Sequence, residues 1–227
     1  MFNTVDEAII SLKQGKFVLV HDDKHREDEI DMVMAAEFVT PFHISKMRLD
    51  AGGLLCLALD SVISKNLRLQ FMHDILSNIS NNDILFSKMS FEPAPYGDKP
   101  SFSISINHKN TFTGITDTDR SLTISELVSI CKNMTSNSIL DFAKNFRTPG
   151  HVNLLIASKG LIKERFGHTE LAVYLTKIAG LTPTAVICEM LDSETFKALS
   201  LEKAKLYANK FNIPILESKQ LKAFSVI

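Results

Sequence analysis

From His151 onward the chain alternates between two kinds of segment. "HVNLLIAS", "PTAVICEM" and "IPILES" are short, nearly continuous apolar runs. The helical patterns "GHTELAVYLTKIAGL" and Leu201 to Asn212 lie between them. Short apolar runs bounded by turn residues read as buried strands, and the longer 3.6-period stretches as amphipathic helices. Neither can bury its apolar face alone, so the alternation predicts helices layered on a sheet.

The first half fits the same plan. Thr4 and Glu7 form a capping box for a helix from Val5 to Gln14, closed by Gly15. "FVLVHD" (Phe17 to Asp22), "LLCLALD" and "SFSISIN" (Ser101 to Asn107) read as strands. Met32 to Phe38 is a further apolar run. Thr40 caps a predicted helix from Pro41 to Leu49, broken by Gly52 and Gly53, and another helix is predicted from Leu122 to Met134. Ser77 to Pro100, rich in Asn, Ser, Pro and Asp, reads as a long, partly irregular connection. No linker divides the chain and no unit repeats. The expectation is α/β with α+β character: a single layered domain over residues 1–227, its mixed sheet covered by helices.

Composition narrows the function. Net charge is −1, so no global basic field draws the protein to nucleic acid or anionic lipid. The three cysteines, Cys56, Cys131 and Cys188, are odd in number and far apart, which suits buried thiols in a reducing compartment. "MFNTVDEAII" lacks the basic patch and apolar core of a signal peptide, and no apolar run is long enough to span a bilayer. A soluble, cytoplasmic protein is expected.

"HDDKHREDEIDM" (His21 to Met32) crowds six carboxylates between two apolar runs. Glu27, Glu29 and Asp31 alternate, so an extended chain points them to one side. That arrangement is costly unless a cation sits among them, and hard oxygen ligands suit Mg²⁺ or Mn²⁺. Arg26 stands ready to hold a substrate oxygen. The competing reading is a solvated charged turn between strands. "RFGHTE" (Arg165 to Glu170) opens a helix, whose free N–H groups and a neighbouring guanidinium favour a phosphate. Its competitor is an ordinary helix start. In "RTPGH" (Arg147 to His151), Pro149 and Gly150 predict a sharp turn that aims His151, unless the histidine merely decorates a surface turn. "FTGITDTDR" (Phe112 to Arg120) offers Thr113 to a phosphate or sugar hydroxyl, or is simply a capping loop with Asp119 or Ser121 as N-cap. Glu189 ends an apolar strand, where α/β proteins often place ligand-facing groups, or it faces solvent. Cys56 reads as a core thiol.

These pieces occur in one order at close spacing, from about Phe17 to Met190. Together they resemble the 3,4-dihydroxy-2-butanone 4-phosphate synthases of riboflavin biosynthesis, in their stand-alone form rather than the form fused to a GTP cyclohydrolase. The resemblance implies a lyase that converts D-ribulose 5-phosphate to L-3,4-dihydroxy-2-butanone 4-phosphate and formate, through a metal-stabilised enediolate and a skeletal rearrangement. It implies Mg²⁺, with Mn²⁺ as the other suitable cation, held by Glu27 and His168. It places Arg26, Glu27, Asp31, Thr113 and Glu189 at the substrate, with Arg165, Phe166, Gly167, His168 and Thr169 around its phosphate end. His151 and Glu189 are implied to be catalytic, sharing proton transfers with Glu29 and Asp31. It also implies a homodimer with active sites near the subunit interface, so that His151 serves its partner.

Two positions depart from the family pattern: Asp28, where Asn or Gly is usual, and Ile30, where Gly or Thr is usual. Asp28 is expected to add negative charge near the metal, and Ile30 to stiffen a closing loop. The competing functions are another metal-dependent sugar-phosphate isomerase or aldolase, which releases no formate, and a non-catalytic sugar-phosphate-binding protein.

Overall fold

The computed structural model describes residues 2–80, 84–89 and 94–224. The elements of the first half are α1 (Val5–Lys13), β1 (Val18–His21), β2 (Ile30–Ala35), α2 (Pro41–Lys46), β3 (Cys56–Leu59), α3 (Ser61–Asn66), α4 (Met72–Ser80), α5 (Ile84–Met89) and β4 (Phe102–His108). Those of the second are α6 (Asp117–Lys132), α7 (Ser138–Asn145), β5 (Phe146–Ile156), α8 (His168–Ile178), β6 (Thr184–Glu189), β7 (Leu191–Asp192), β8 (Lys197–Ala198), α9 (Leu201–Phe211), β9 (Ile215–Glu217) and α10 (Ser218–Phe224).

Seven strands form one mixed sheet in the order β4-β5-β3-β6-β2-β1-β9. β3 runs parallel to β5 and β1 parallel to β9, while the other neighbours are antiparallel. The expected α/β architecture, a mixed sheet covered by helices, is what the chain forms. Side-chain alternation splits its core in two. Ile30, Met32 and Met34 of β2 pack on one face with residues of α2, α6 and α9. Val33, with Val18 and Val20 of β1, packs on the other face with α1 and α8. Asp31 therefore leaves β2 on the α8 face.

Local chemistry sets the element ends. The Thr4 N–H donates to Glu7 Oε2 at 2.7 Å and the Glu7 N–H to Thr4 Oγ1 at 3.2 Å, completing the predicted capping box. α2 runs on through a π-helical turn, Met47–Ala51, and ends at Gly52 with φ +85°, a conformation that glycine adopts at little cost. Cys56, Cys131 and Cys188 are buried and free, as predicted.

Four expectations need correction. Ser77 to Pro100 is not simply an irregular connection: the end of α4 and all of α5 lie within it, because Met72, Ile75, Leu76 and Ile79 in α4, and Leu85 and Met89 in α5, stand at helical spacing amid the polar residues. Part of that stretch, residues 81–83 and 90–93, lies outside the described residues. α6 begins at Asp117, five residues before the predicted start, with Thr116 as N-cap instead of Asp119 or Ser121. Thr116 Oγ1 accepts the Asp119 N–H at 3.1 Å. "RTPGH" is not a turn before a strand but a bulge inside β5: Ile106 pairs with Val152 while Asn107 pairs with Arg147, which leaves residues 148–151 looped out. A Cβ on Gly150 would lie 1.9 Å from the Ile106 carbonyl carbon, so glycine is required there. Ile30 belongs to β2 and is fully buried, so it anchors the sheet instead of stiffening a loop. Among the described residues no helix is long and apolar enough to cross a membrane.

Candidate active site

Asp31 and Glu189 are direct cross-strand partners on β2 and β6. Antiparallel partners project to the same face, so both carboxylates leave the sheet together. Above them the connection after β1, the N-terminus of α8 and the segment 94–100 enclose a cavity of about 190 Å³. Arg26, Glu27, Asp31, Arg165, His168, Thr169 and Glu189 line it, with Cys56 and Tyr96.

The acidic connection is ordered by a carboxylate that sequence reasoning left without a role. Asp22 is buried. Its Oδ2 accepts the Glu27 N–H at 3.2 Å and Arg26 Nη1 at 3.1 Å, and its Oδ1 accepts the Glu29 N–H at 3.1 Å. One side chain thus satisfies backbone donors that would otherwise be stranded in the turn. Asp28 sits at φ +53°, in the left-handed region where Asn and Gly are favoured. Its carboxylate accepts from His21 Nε2 at 2.9 Å, outside the cavity lining. The expected extra charge at the metal site is therefore turned toward His21.

Glu27 and His168, separated by most of the chain, meet at 3.1 Å through Oε2 and Nδ1. The other imidazole nitrogen faces the Glu29 carbonyl at 3.3 Å and Asp31 Oδ1 at 3.7 Å. Burial would raise the Glu27 carboxyl, but hydrogen bonds from His168 and Tyr96 and the charge of Arg26 outweigh it and hold it at about 2. Burial would lower His168, but the carboxylates of Asp31, Glu27 and Asp22 outweigh it and raise the ring to about 9. Asp31 is pushed upward, chiefly by burial; His168 opposes the shift, and Glu189, Glu27 and Glu29 add to it. Glu29, half-buried, is also raised by burial and by Glu27.

This arrangement fits a divalent cation. Asp22, Glu27 and His168 each offer a ligand atom within 4.8 Å of the others. Bonds of about 2.1 Å in an octahedral shell put adjacent ligands about 3 Å apart, close to the Glu27–His168 separation. Buried Asp31 Oδ1 has no hydrogen-bond partner among the described residues, so the centre has acceptor capacity to spare. Asp22 takes two backbone N–H groups of the connection and one from Arg26, which makes it the organiser of the loop.

Beside this centre, α8 opens at Gly167 with no side chain capping its free N–H groups. A Cβ on Gly167 would lie 2.4 Å from Arg165 Nη1 and 2.7 Å from Arg26 Nη2, so two guanidiniums lie directly against the helix start. Arg165 is fixed by buried Glu170, which accepts Nη1 at 2.5 Å and the Ser158 N–H at 2.9 Å. Buried Arg26 Nη2 and Arg165 Nε have no hydrogen-bond partner among the described residues. Glu189 Oε2 accepts the Leu54 N–H at 2.7 Å, and a Cβ on Gly53 would lie 2.5 Å from Glu189, which explains the glycine there. The Phe166 side chain packs into the layer below α8, with Lys222 Nζ 5.8 Å from its ring centre.

Besides the Phe166 side chain, two further predicted site residues lie elsewhere. His151 is exposed on the β5 bulge; its N–H donates to Asn107 Oδ1 at 2.8 Å, and its ring contacts the same amide. The Thr113 carbonyl accepts Asn107 Nδ2 at 3.4 Å, so Asn107 joins both to one satellite cluster. Neither lines the cavity. Three groups at the cavity were missed. Tyr96 and Asp98 sit in a stretch read as connection, where only the Pro/Gly-bracketed "PYGDKP" marks a built turn. Glu170 was quoted in "RFGHTE" without a role.

A family model described as 3,4-dihydroxy-2-butanone 4-phosphate synthase matches residues 6–224. The chain belongs to this family. The 3,4-dihydroxy-2-butanone 4-phosphate synthase of Methanothermobacter thermautotrophicus is 44% identical over 217 residues, covering 96% of this chain and 93% of that protein. A Bacillus mycoides riboflavin biosynthesis protein, RibBA, is 33% identical over 224 residues, which are 99% of this chain and 49% of that protein. A solved synthase in complex with two magnesium ions superposes with a TM-score of 0.81 at 27% identity, covering 99% of this chain and 97% of that one.

Proposed function

We propose that this chain converts D-ribulose 5-phosphate to L-3,4-dihydroxy-2-butanone 4-phosphate and formate, with residues 1–227 acting as one domain. The observation that carries this reading is the convergence, in one cavity, of Glu27 and His168 with two arginines at an uncapped helix start.

Glu27 and His168 are the residues to hold Mg²⁺, or Mn²⁺ in its place. The bound ion supplies Lewis-acid stabilisation of negative charge on the ketose oxygens. Arg26, Arg165 and the free N–H groups of Gly167, His168 and Thr169 take the phosphate, with the Thr169 hydroxyl beside them. Phe166 contributes through its backbone. Asp31 and Glu189 stand side by side, and the upward shift of Asp31 suits a carboxylate that accepts and returns a proton near neutral pH. Glu29 extends the same carboxylate group.

The exposed His151 and Thr113, away from their own chain's cavity, suit a homodimer in which each subunit presents them to its partner's site. Buried, free thiols and near-neutral charge suit the cytoplasm. The test is incubation of the protein with ribulose 5-phosphate and Mg²⁺, with formate measured and EDTA as control. Formate that depends on the metal supports the assignment. Loss of ribulose without formate points to an isomerase or aldolase instead.

A further inference from the structure

The segment 94–100 forms a tight turn that lends Tyr96 and Pro100 to the cavity wall. The Ala94 N–H donates to the Asp98 carbonyl at 2.9 Å and the Gly97 N–H to the Ala94 carbonyl at 2.7 Å, with Gly97 at φ +92°. Its side chains fall on the groups assigned above to the substrate and the cation. Asp98 Oδ2 lies 3.0 Å from Arg26 Nε and 3.4 Å from Arg165 Nε. The Tyr96 hydroxyl donates to Glu27 Oε1 at 2.6 Å, and the Arg26 guanidinium lies 4.8 Å from the Tyr96 ring centre.

A carboxylate between two guanidiniums uses the same charge-assisted donors that a phosphate uses. The acids around these arginines are not equivalent. Asp22 and Glu170 are buried, with side chains 0% exposed, and they sit beneath the arginines as fixed supports. Asp98 is 32% exposed and belongs to a surface turn, so it is the one that can leave. Among the described residues, two of the guanidinium nitrogens, Arg26 Nη2 and Arg165 Nε, have no hydrogen-bond partner, so Asp98 fills the cradle incompletely.

We propose that Asp98 is an internal stand-in for the substrate's phosphate. The turn 94–100 straps the cavity shut, and a phosphomonoester must displace the strap to bind. This inference rests on the phosphate assignment made above. A closed strap makes only a fraction of the protein competent, and the apparent affinity falls by that fraction.

The probe is inorganic phosphate, titrated calorimetrically into the full chain without metal, so that no turnover occurs. Excess ribulose 5-phosphate, added as competitor, locates the binding at the substrate site. Asp98→Asn keeps the shape and removes the charge, and should tighten phosphate binding about tenfold. Asp98→Ala should move it in the same direction. If phosphate binds competitively with ribulose 5-phosphate but neither variant tightens it, the strap proposal fails and the cradle assignment stands. If neither the wild type nor a variant shows competed phosphate binding, the cradle assignment fails and the strap proposal falls with it.

Discussion

Glu27 is held as an anion by His168, Tyr96 and Arg26, so its charge and not its bulk is what the centre uses. Glu27→Gln is nearly isosteric and should weaken Mg²⁺ binding on the order of 100-fold without unfolding the chain, read by calorimetric titration; unchanged affinity would remove Glu27 from the ligand set. His168 supplies the pH dependence. Both ring nitrogens face acceptors, which favours the doubly protonated ring. Its folded pKa is raised to about 9, so its contribution to metal-free stability is full below the unfolded value near 6.5 and is lost as pH rises through 9. Glu27 has the opposite sign: with a folded pKa of about 2, its contribution is full above the unfolded value of 4.5 and is lost as pH falls toward 2. Mg²⁺ must displace the imidazolium proton, so its affinity should rise about tenfold per pH unit between pH 7 and 9. A flat affinity over that range would contradict the assignment of His168. At this scale the sequence was informative about charge-bearing ligands, because carboxylates crowded into one connection demand a partner. Asp22 was harder to read, since its role lies in satisfying backbone N–H groups of a turn whose shape the sequence did not show.

Strand ends and one helix start do the positioning. Ile30 is fully buried in β2, paired directly with His21 across the register and directly before Asp31. Ile30→Ala should cost about 2–5 kcal/mol in chemical denaturation, more than a loop position would, because it opens a cavity in the sheet's core. A loss below 1 kcal/mol would return Ile30 to the loop. The short apolar runs and the G-H-T helix start were legible because burial and period fix them. The bulge in β5 was not. Its Pro and Gly resemble those of a turn, and only the pairing of Ile106 with Val152 and of Asn107 with Arg147 shows the strand continuing past them. The helical parts of 72–89 were hidden by polar residues that composition assigns to loops.

Across the whole molecule, the site of one chain gathers residues from β1 to β6, yet leaves His151 and Thr113 exposed and outside the cavity, as is Phe112, a residue 93% exposed. If two subunits complete each other's sites, His151→Ala and Glu27→Gln proteins, each inactive alone, should recover about a quarter of wild-type activity when co-assembled in equal amounts. Half of the dimers would then be mixed, each with one intact site. No recovery in verified mixed dimers would put His151 at its own chain's site or outside catalysis. The whole account turns on one cavity acting on a phosphorylated ketose. Ribulose 5-phosphate carrying ¹³C at every carbon, followed by NMR with Mg²⁺ present, reads this directly. The account predicts labelled formate from the wild type and none from Glu27→Gln. Label retained in a five-carbon sugar phosphate, or unconsumed substrate with folded, Mg²⁺-loaded protein, would contradict it.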